Sequence, residues 1–291
     1  MKKVKFITAI YNNLFGTEFG GRQSRRDHYK WSLISIMRMT DADFTCYCSK
    51  SEYQELYDFF YVKNNISQNQ LELKQFELSN NLNFNYIENY KNFEEIKKSD
   101  RCFEIQYNKF FWLLNEDFSY DYYFWIDAGF CHCGLLPDKY LTYCDVTRGY
   151  FDSYFFDNEF LQKMIDKTGE QITIFTKDNL RNYWSDTVPQ NYYNQYDSTL
   201  HVIGGLFGGK KEIMKWYVNE FQNSLKKITE ETKRLYSEEH YMSLIYVNNR
   251  DKFKTYTFDI WWHETNGPNG LADNYFVINK SFYKSLEDIK L

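Results

Sequence analysis

The chemistry in this chain starts from one carboxylate. In the stretch DYYFWIDAGF, residues Tyr122 to Ile126 are all aromatic or apolar, Asp127 follows, and then come the small residues Ala128 and Gly129. Such a run reads as a buried strand. Ligands of an open parallel sheet collect beyond the carboxyl ends of its strands, where Asp127 would sit. An acid there can hold a metal bound to a diphosphate or accept hydrogen bonds from sugar hydroxyls. The two small residues let a bulky ligand approach the backbone. The competing reading is an acid capping a turn, with Gly129 supplying a positive φ.

Two further features lie later in the chain. GGLFGG, Gly204 to Gly209, leaves an apolar strand and enters a helix. Glycines there allow backbone N–H groups to contact a substrate, and the spacing is not the G-x-G-x-x-G of a dinucleotide site. In YSEEHY, Glu238 and Glu239 precede a helix. Either could serve as acid, base or nucleophile, and both would also complement a helix dipole. Arg22, Arg25 and Arg26 follow the first strand, and their bidentate forks suit a diphosphate. Trp184, Tyr192, Tyr193 and Trp262 offer rings for sugar stacking or for the core.

These residues need a scaffold, and the hydrophobic pattern supplies one. VKFITAIYN reads as a strand, RRDHYKWSLISIMRM as a helix with Tyr29, Leu33, Ile36 and Met37 on one stripe, and ADFTCYCS as a second strand. That β-α-β opening predicts parallel strands. Residues 51–100 are polar and mixed, consistent with helices and an irregular excursion. RCFEIQYNKFFWLLNEDF predicts a helix feeding the YYFWID strand. The pattern weakens between Asp145 and Ser198, apart from a strand in TGEQITIFTKDN. A long helix after GGLFGG, a helix in SEEHYMSLIYVNN and a strand in FKTYTFDIWW complete an α/β order.

Composition bounds the rest. Of 291 residues, 43% are apolar and 21% aromatic, which is enough for a sizeable core. The net charge of −5 argues against a dedicated nucleic-acid binder. The start, MKKVKFITAIYNN, reads as a first strand and not a leader. No apolar stretch approaches the roughly 18 residues of a membrane span. The expected location is cytoplasmic, with six reduced cysteines. Cys46 and Cys48, like Cys131 and Cys133, show C-x-C spacing, which suits packing on one strand face better than zinc.

Together these residues resemble a GT-A glycosyltransferase, with a D-x-D-like motif after a mid-chain strand. NKFFWLL upstream of FWIDAGF is similar to the HtrL/YibB (WlaTC/HtrL) bacterial family, found among surface-polysaccharide genes. GGLFGG followed by SEEHYMSLIYVNN resembles, more weakly, the blood-group-type retaining transferases, whose catalytic acid matches Glu238 best, with Glu239 as substitute. The resemblance implies a GT-A-like (Rossmann-related) α/β fold with a mixed, mostly parallel central sheet flanked by helices. It implies a single domain over 1–291, with a nucleotide-sugar half (1–130) and an acceptor half (131–291).

The implied activity is transfer of a hexose from a nucleoside-diphosphate sugar, UDP-linked, to an oligosaccharide or lipid-linked glycan in lipopolysaccharide or capsule synthesis. The alternatives are a non-catalytic glycan- or nucleotide-binding protein and a nucleotide-sugar hydrolase. Thr8, Ala9, Ile10 and Tyr11 would flank the base and ribose. Arg22, Arg26 and Lys109 would face the nucleotide, with Asp127, Ala128 and Gly129 at the sugar-phosphate. Gly204, Gly205, Trp184 and Trp262 would bind the acceptor side. An Mn²⁺ or Mg²⁺ ion would sit on Asp127 and His263. Gly129 occupies the place of a second acid, which leaves metal dependence open. Nucleic acid is not expected as a partner, and peripheral contact with the inner membrane surface stays open.

Overall fold

In a computed structural model, the structure describes residues 2–11, 22–78, 103–117, 119–128, 144–145, 150–151, 158–177 and 201–258. Strand β1 (Val4–Ala9) leads through α1 (Arg22–Met39) to β2 (Asp43–Cys48), which lies parallel to it. Helix α2 (Lys50–Tyr57) runs into a π-helical turn (Asp58–Lys63), followed by β3 (Leu71–Gln75). Next come α3 (Phe103–Leu114), β4 (Tyr122–Ile126) and a two-residue pairing of β5 (Cys144–Asp145) with β6 (Tyr150–Phe151). The remainder is α4 (Asn158–Thr168), β7 (Ile172–Lys177), β8 (His201–Lys210), α5 (Lys211–Thr232), α6 (Glu238–Asn248) and β9 (Phe253–Phe258).

Among the described residues, seven strands form one sheet in the order β3-β2-β1-β4-β8-β7-β9. Strand β8 is antiparallel to both neighbours, β4 and β7, while the other pairings are parallel. The expected mixed, mostly parallel sheet flanked by helices is therefore observed. All five residues of β4 are buried, as a strand held between β1 and β8 with both faces covered requires.

The period of two along β4 divides its rings between two cores. Tyr122, Phe124 and Ile126 join Phe6, Phe44, Cys46 and Cys48 on the face covered by Leu33, Ile36 and Met37 of α1 and by Leu161, Met164 and Ile165 of α4. The two cysteines thus pack as small apolar side chains. Tyr123 and Trp125 turn to the other face, against α3, α5 and α6. There Phe110 of α3 stacks on Phe221 of α5 at 3.7 Å between ring centroids. The same alternation carries Asp127, two residues after Trp125, onto the face of α3 and α6.

Three sequence expectations change. Residues 51–100 hold a strand as well as helices, since Leu71 and Leu73 are buried between the more exposed Glu72, Lys74 and Gln75. The span from Asp145 to Ser198 contains α4, whose Leu161, Met164, Ile165 and Thr168 are buried at helical spacing. GGLFGG does not leave the strand: all six residues lie within β8, and the helix starts at Lys211. The reason is close backbone approach. A Cβ on Gly208 would collide with the Tyr123 carbonyl oxygen and the Phe124 ring of the neighbouring strand. Among the described residues, no helix is long and apolar enough to cross a membrane.

Gly208→Ala should cost about 1–3 kcal/mol of stability or more, because a well-packed strand cannot move aside for a methyl group. Urea unfolding checks this; an unchanged midpoint would mean that β4 and β8 do not meet as described.

Candidate functional site

Strand β4 ends beside β1 and β8. Its register with β1 pairs Ile7 with Trp125, so Ala9 comes level with Asp127. On the other side, the Asp127 backbone N–H donates to the Gly205 carbonyl at 2.8 Å. This fixes the acid at the carboxyl edge of the parallel strands, the edge from which α1 also departs. Its side chain is 25% exposed.

Lys109 of α3 points into the same place. It is buried, and its ammonium lies 2.8 Å from Glu238 Oε1, 3.1 Å from Asp127 Oδ1 and 3.1 Å from the Gly204 carbonyl oxygen. An ammonium has three donors, and these three acceptors match them. The Trp125 indole N–H donates to the same Asp127 Oδ1 at 2.7 Å, and Lys109 lies over the Trp125 ring, 5.3 Å from its centroid. Glu238 is only 4% exposed. Glu239 is partly exposed, and its Oε1 accepts the Gly204 backbone N–H at 2.9 Å. Two carboxyl groups from two distant elements therefore meet one buried lysine, with Glu239 held beside them on Gly204.

Several contacts hold α6 in register with β8. Ser243 Oγ donates to the Glu239 carbonyl at 2.6 Å and accepts the Val202 N–H at 2.9 Å. Ser237, at the N-cap, shares a 2.7 Å hydrogen bond with His240 Nδ1. Gly204 is needed at this crossing: a Cβ there would stand 2.7 Å from Glu238 Oε1 and 3.3 Å from Glu239 Cγ.

The charges act on one another. Burial alone would pull the Lys109 pKa down, but the Asp127 and Glu238 carboxylates outweigh it and the net shift is upward. Burial pushes the Glu238 carboxyl up from its ordinary value; Lys109 opposes this, and Glu239 and Asp127 add to it.

Beside the cluster lies a stack of rings. Trp112 of α3 stacks on Tyr47 at 4.9 Å, on Trp125 at 5.9 Å and on Tyr11 at 6.0 Å. Tyr11 also donates its hydroxyl to the Phe76 carbonyl at 3.0 Å. Below, Glu116 accepts from Thr45 Oγ1 and the Tyr47 hydroxyl and is paired with Lys74 at 3.0 Å.

The structure brings Asp127, Lys109, Glu238, Glu239, Gly204 and Gly205 together, with Ala9 and Tyr11 on the same side. Other expected site residues are turned away. Thr8 and Ile10 alternate to the opposite face and are buried, and Ala128 packs in that same core. Glu238, expected to face the reacting carbon, is turned to Lys109. The backbone groups of Gly204 and Gly205, expected to floor the acceptor side, are engaged by Lys109, Glu239 and Asp127. Arg22, Arg25 and Arg26 lie in the first turns of α1, but their side chains are outside the described residues, as are Gly129, Trp184, Tyr192, Tyr193, Trp262 and His263. Trp125 was missed, although its position two residues before Asp127 on a strand carried the signal.

Of the two expected ligands of Mn²⁺ or Mg²⁺, His263 lies outside the described residues and Asp127 is a poor fit. Oδ1 already accepts an ammonium and an indole N–H, so two-oxygen coordination is closed. Among the described residues, no group of three or more His, Cys, Asp and Glu side chains is arranged to hold a metal.

No protein-family model matches the chain, and no curated protein matches it. Solved structures do. Mouse xyloside xylosyltransferase 1, in its apo form, is similar with a TM-score of 0.52 at 7% identity, over 94% of this chain and 93% of that one. A galactosyltransferase, LgtC, bound to donor and acceptor sugar analogues gives 0.49 at 9% identity, over 86% and 72%. A 4-diphosphocytidyl-2C-methyl-D-erythritol synthase from Anaerococcus prevotii gives 0.44 at 10%, over 94% and 96%. The likeness to the xylosyltransferase is one of fold: the chain has a GT-A-like α/β architecture.

Two outcomes follow from the cluster. Lys109→Met leaves Asp127 and Glu238 without their counter-charge and should cost about 3–5 kcal/mol, the usual cost of breaking a buried pair on one side; equilibrium unfolding measures it. Glu238→Gln should change the pH profile. A carboxyl whose folded pKa is raised gives stability that is present below its ordinary value of 4.5 and is lost as pH rises through the folded pKa. The variant's stability relative to wild type should therefore improve as pH rises above 4.5. A parallel pair of profiles would contradict the raised pKa.

Proposed function

We propose that the chain is a glycosyltransferase. It moves a hexose from a nucleoside-diphosphate sugar, UDP-linked, to a saccharide acceptor. The observation that carries this reading is the Asp127–Lys109–Glu238 cluster, with Glu239 beside it, at the carboxyl edge of a GT-A-like sheet. The xylosyltransferase likeness supports the architecture, and the sequence resemblance to the HtrL/YibB family supports a bacterial surface polysaccharide, lipopolysaccharide or capsule, as the product. Cytoplasmic synthesis, with peripheral contact at the inner membrane surface, belongs to the same reading.

The roles follow from exposure. Asp127 reaches solvent and accepts hydrogen bonds from the sugar. Glu239 is partly exposed, is oriented by the Gly204 N–H, and is the carboxylate that meets the reacting carbon or the acceptor hydroxyl. Glu238, buried against Lys109, is the anchor that keeps the ammonium in place. Ala9 and Tyr11 border the nucleoside. Arg22 and Arg26 open the helix that follows β1, where a diphosphate gains both their charge and a helix N-terminus. The departing diphosphate is the main charge to be stabilised in such a reaction.

The test is a panel of nucleotide sugars with and without saccharide acceptors, read as nucleoside diphosphate released. Release that requires an acceptor supports transfer. Release without one points to hydrolysis, and saturable binding without turnover points to a binding module. Within the transferring pair, Glu239→Gln should lower kcat on the order of 10²- to 10⁴-fold, as loss of a general base does. Asp127→Asn should lower kcat/KM by about 10- to 100-fold, the worth of hydrogen bonds to a charged acceptor. Full activity in both variants would overturn the site assignment.

A further inference from the structure

We infer that the sugar-binding carboxylate of this site works without a divalent cation: the Lys109 ammonium is its permanent counter-charge, and Asp127 offers its second oxygen to the hydroxyls of an uncharged ring. This rests on the proposed function, and it deepens that reading by assigning the ligand chemistry at Asp127. The fold resemblance implies a metal there, and the residues disagree with it.

The disagreement is built from four contacts. Lys109 is buried, and Glu238 holds it in place at 2.8 Å. The Gly204 carbonyl, 3.1 Å away, fixes its third donor. With Asp127 Oδ1 at 3.1 Å, the ammonium has no direction left in which to swing away from an incoming cation. The Trp125 indole N–H, 2.7 Å from the same oxygen, holds the carboxylate plane in place. Asp127 can still accept hydrogen bonds at Oδ2, the use to which a partly exposed, half-neutralised carboxylate is suited. Glu239, next to Glu238 at the start of α6, adds a second acceptor of the same kind.

Manganese itself is the first probe. The free protein is titrated with Mn²⁺ and the unbound ion is followed by electron paramagnetic resonance, for wild type, Asp127→Asn and Lys109→Met. Wild type and Asp127→Asn should take up the ion alike, and Mn²⁺ retained equally by both is held elsewhere and supports the inference. Lys109→Met, where folded, should bind at least about tenfold more tightly than wild type. Uptake by wild type that Asp127→Asn abolishes overturns the inference, whether or not Lys109→Met folds. The second probe is UDP-glucose, with other UDP-sugars in parallel, titrated calorimetrically in EDTA and in excess Mn²⁺. Dissociation constants equal within about twofold support it, and tightening of about tenfold or more that depends on Asp127 overturns it. If no nucleotide sugar binds under either condition, the proposed donor class fails, while the manganese titration still decides the question of the metal.

Discussion

A buried ammonium facing two carboxylates far apart in the chain is the constraint on which this site depends. Lys109 comes from the helix before β4, Asp127 from the end of β4, and Glu238 from α6, more than a hundred residues later. A charge taken out of water is tolerated only when paired and hydrogen-bonded. The cluster therefore forms when the sheet has brought β4 and β8 together and α6 has docked on β8. Assembly of the site and completion of the fold become the same event on this face of the molecule.

The surrounding packing serves that arrangement. Gly204 removes a side chain where α6 crosses β8, and a methyl group there would stand against Glu238. The stack of Tyr47, Trp112 and Trp125 backs the indole that holds Asp127, and buried Glu116 fixes the Tyr47 hydroxyl from the far end. Rigid rings behind a partly exposed carboxylate suit a site that must present one oxygen in one direction. The high aromatic content has a structural use here, beyond any bias in composition.

Much of the scaffold was legible in the chain. The YYFWI run announced a buried strand and placed Asp127 at its end, and the β-α-β opening predicted the parallel pairing of β1 and β2. The site's internal wiring was less legible. Lys109 sits in an apolar helix, NKFFWLL, whose buried arc includes Phe103, Tyr107 and Phe110; a lysine inside that arc signals a buried partner but does not say which. Helix α6 is buried nearly all round, so no amphipathic pattern separates Glu238, which is buried on Lys109, from Glu239, which stays partly exposed. GGLFGG was expected to leave its strand for the helix, whereas it stays within β8, where Gly208 makes room for the Tyr123 carbonyl and the Phe124 ring of the adjacent strand. Helix α4 was missed although Leu161, Met164 and Ile165 keep helical spacing, since its short apolar stripe is set among charged residues.

The proposed glycosyl transfer at this edge of the sheet rests on where the sugar sits relative to the lysine. A crystal structure with an intact UDP-sugar measures that directly. The account predicts ring hydroxyls within hydrogen-bond distance of Asp127 and Glu239, with Lys109 still bound to Glu238. A sugar nucleotide seated away from Asp127, or Lys109 released from Glu238 to grip the diphosphate, would contradict it.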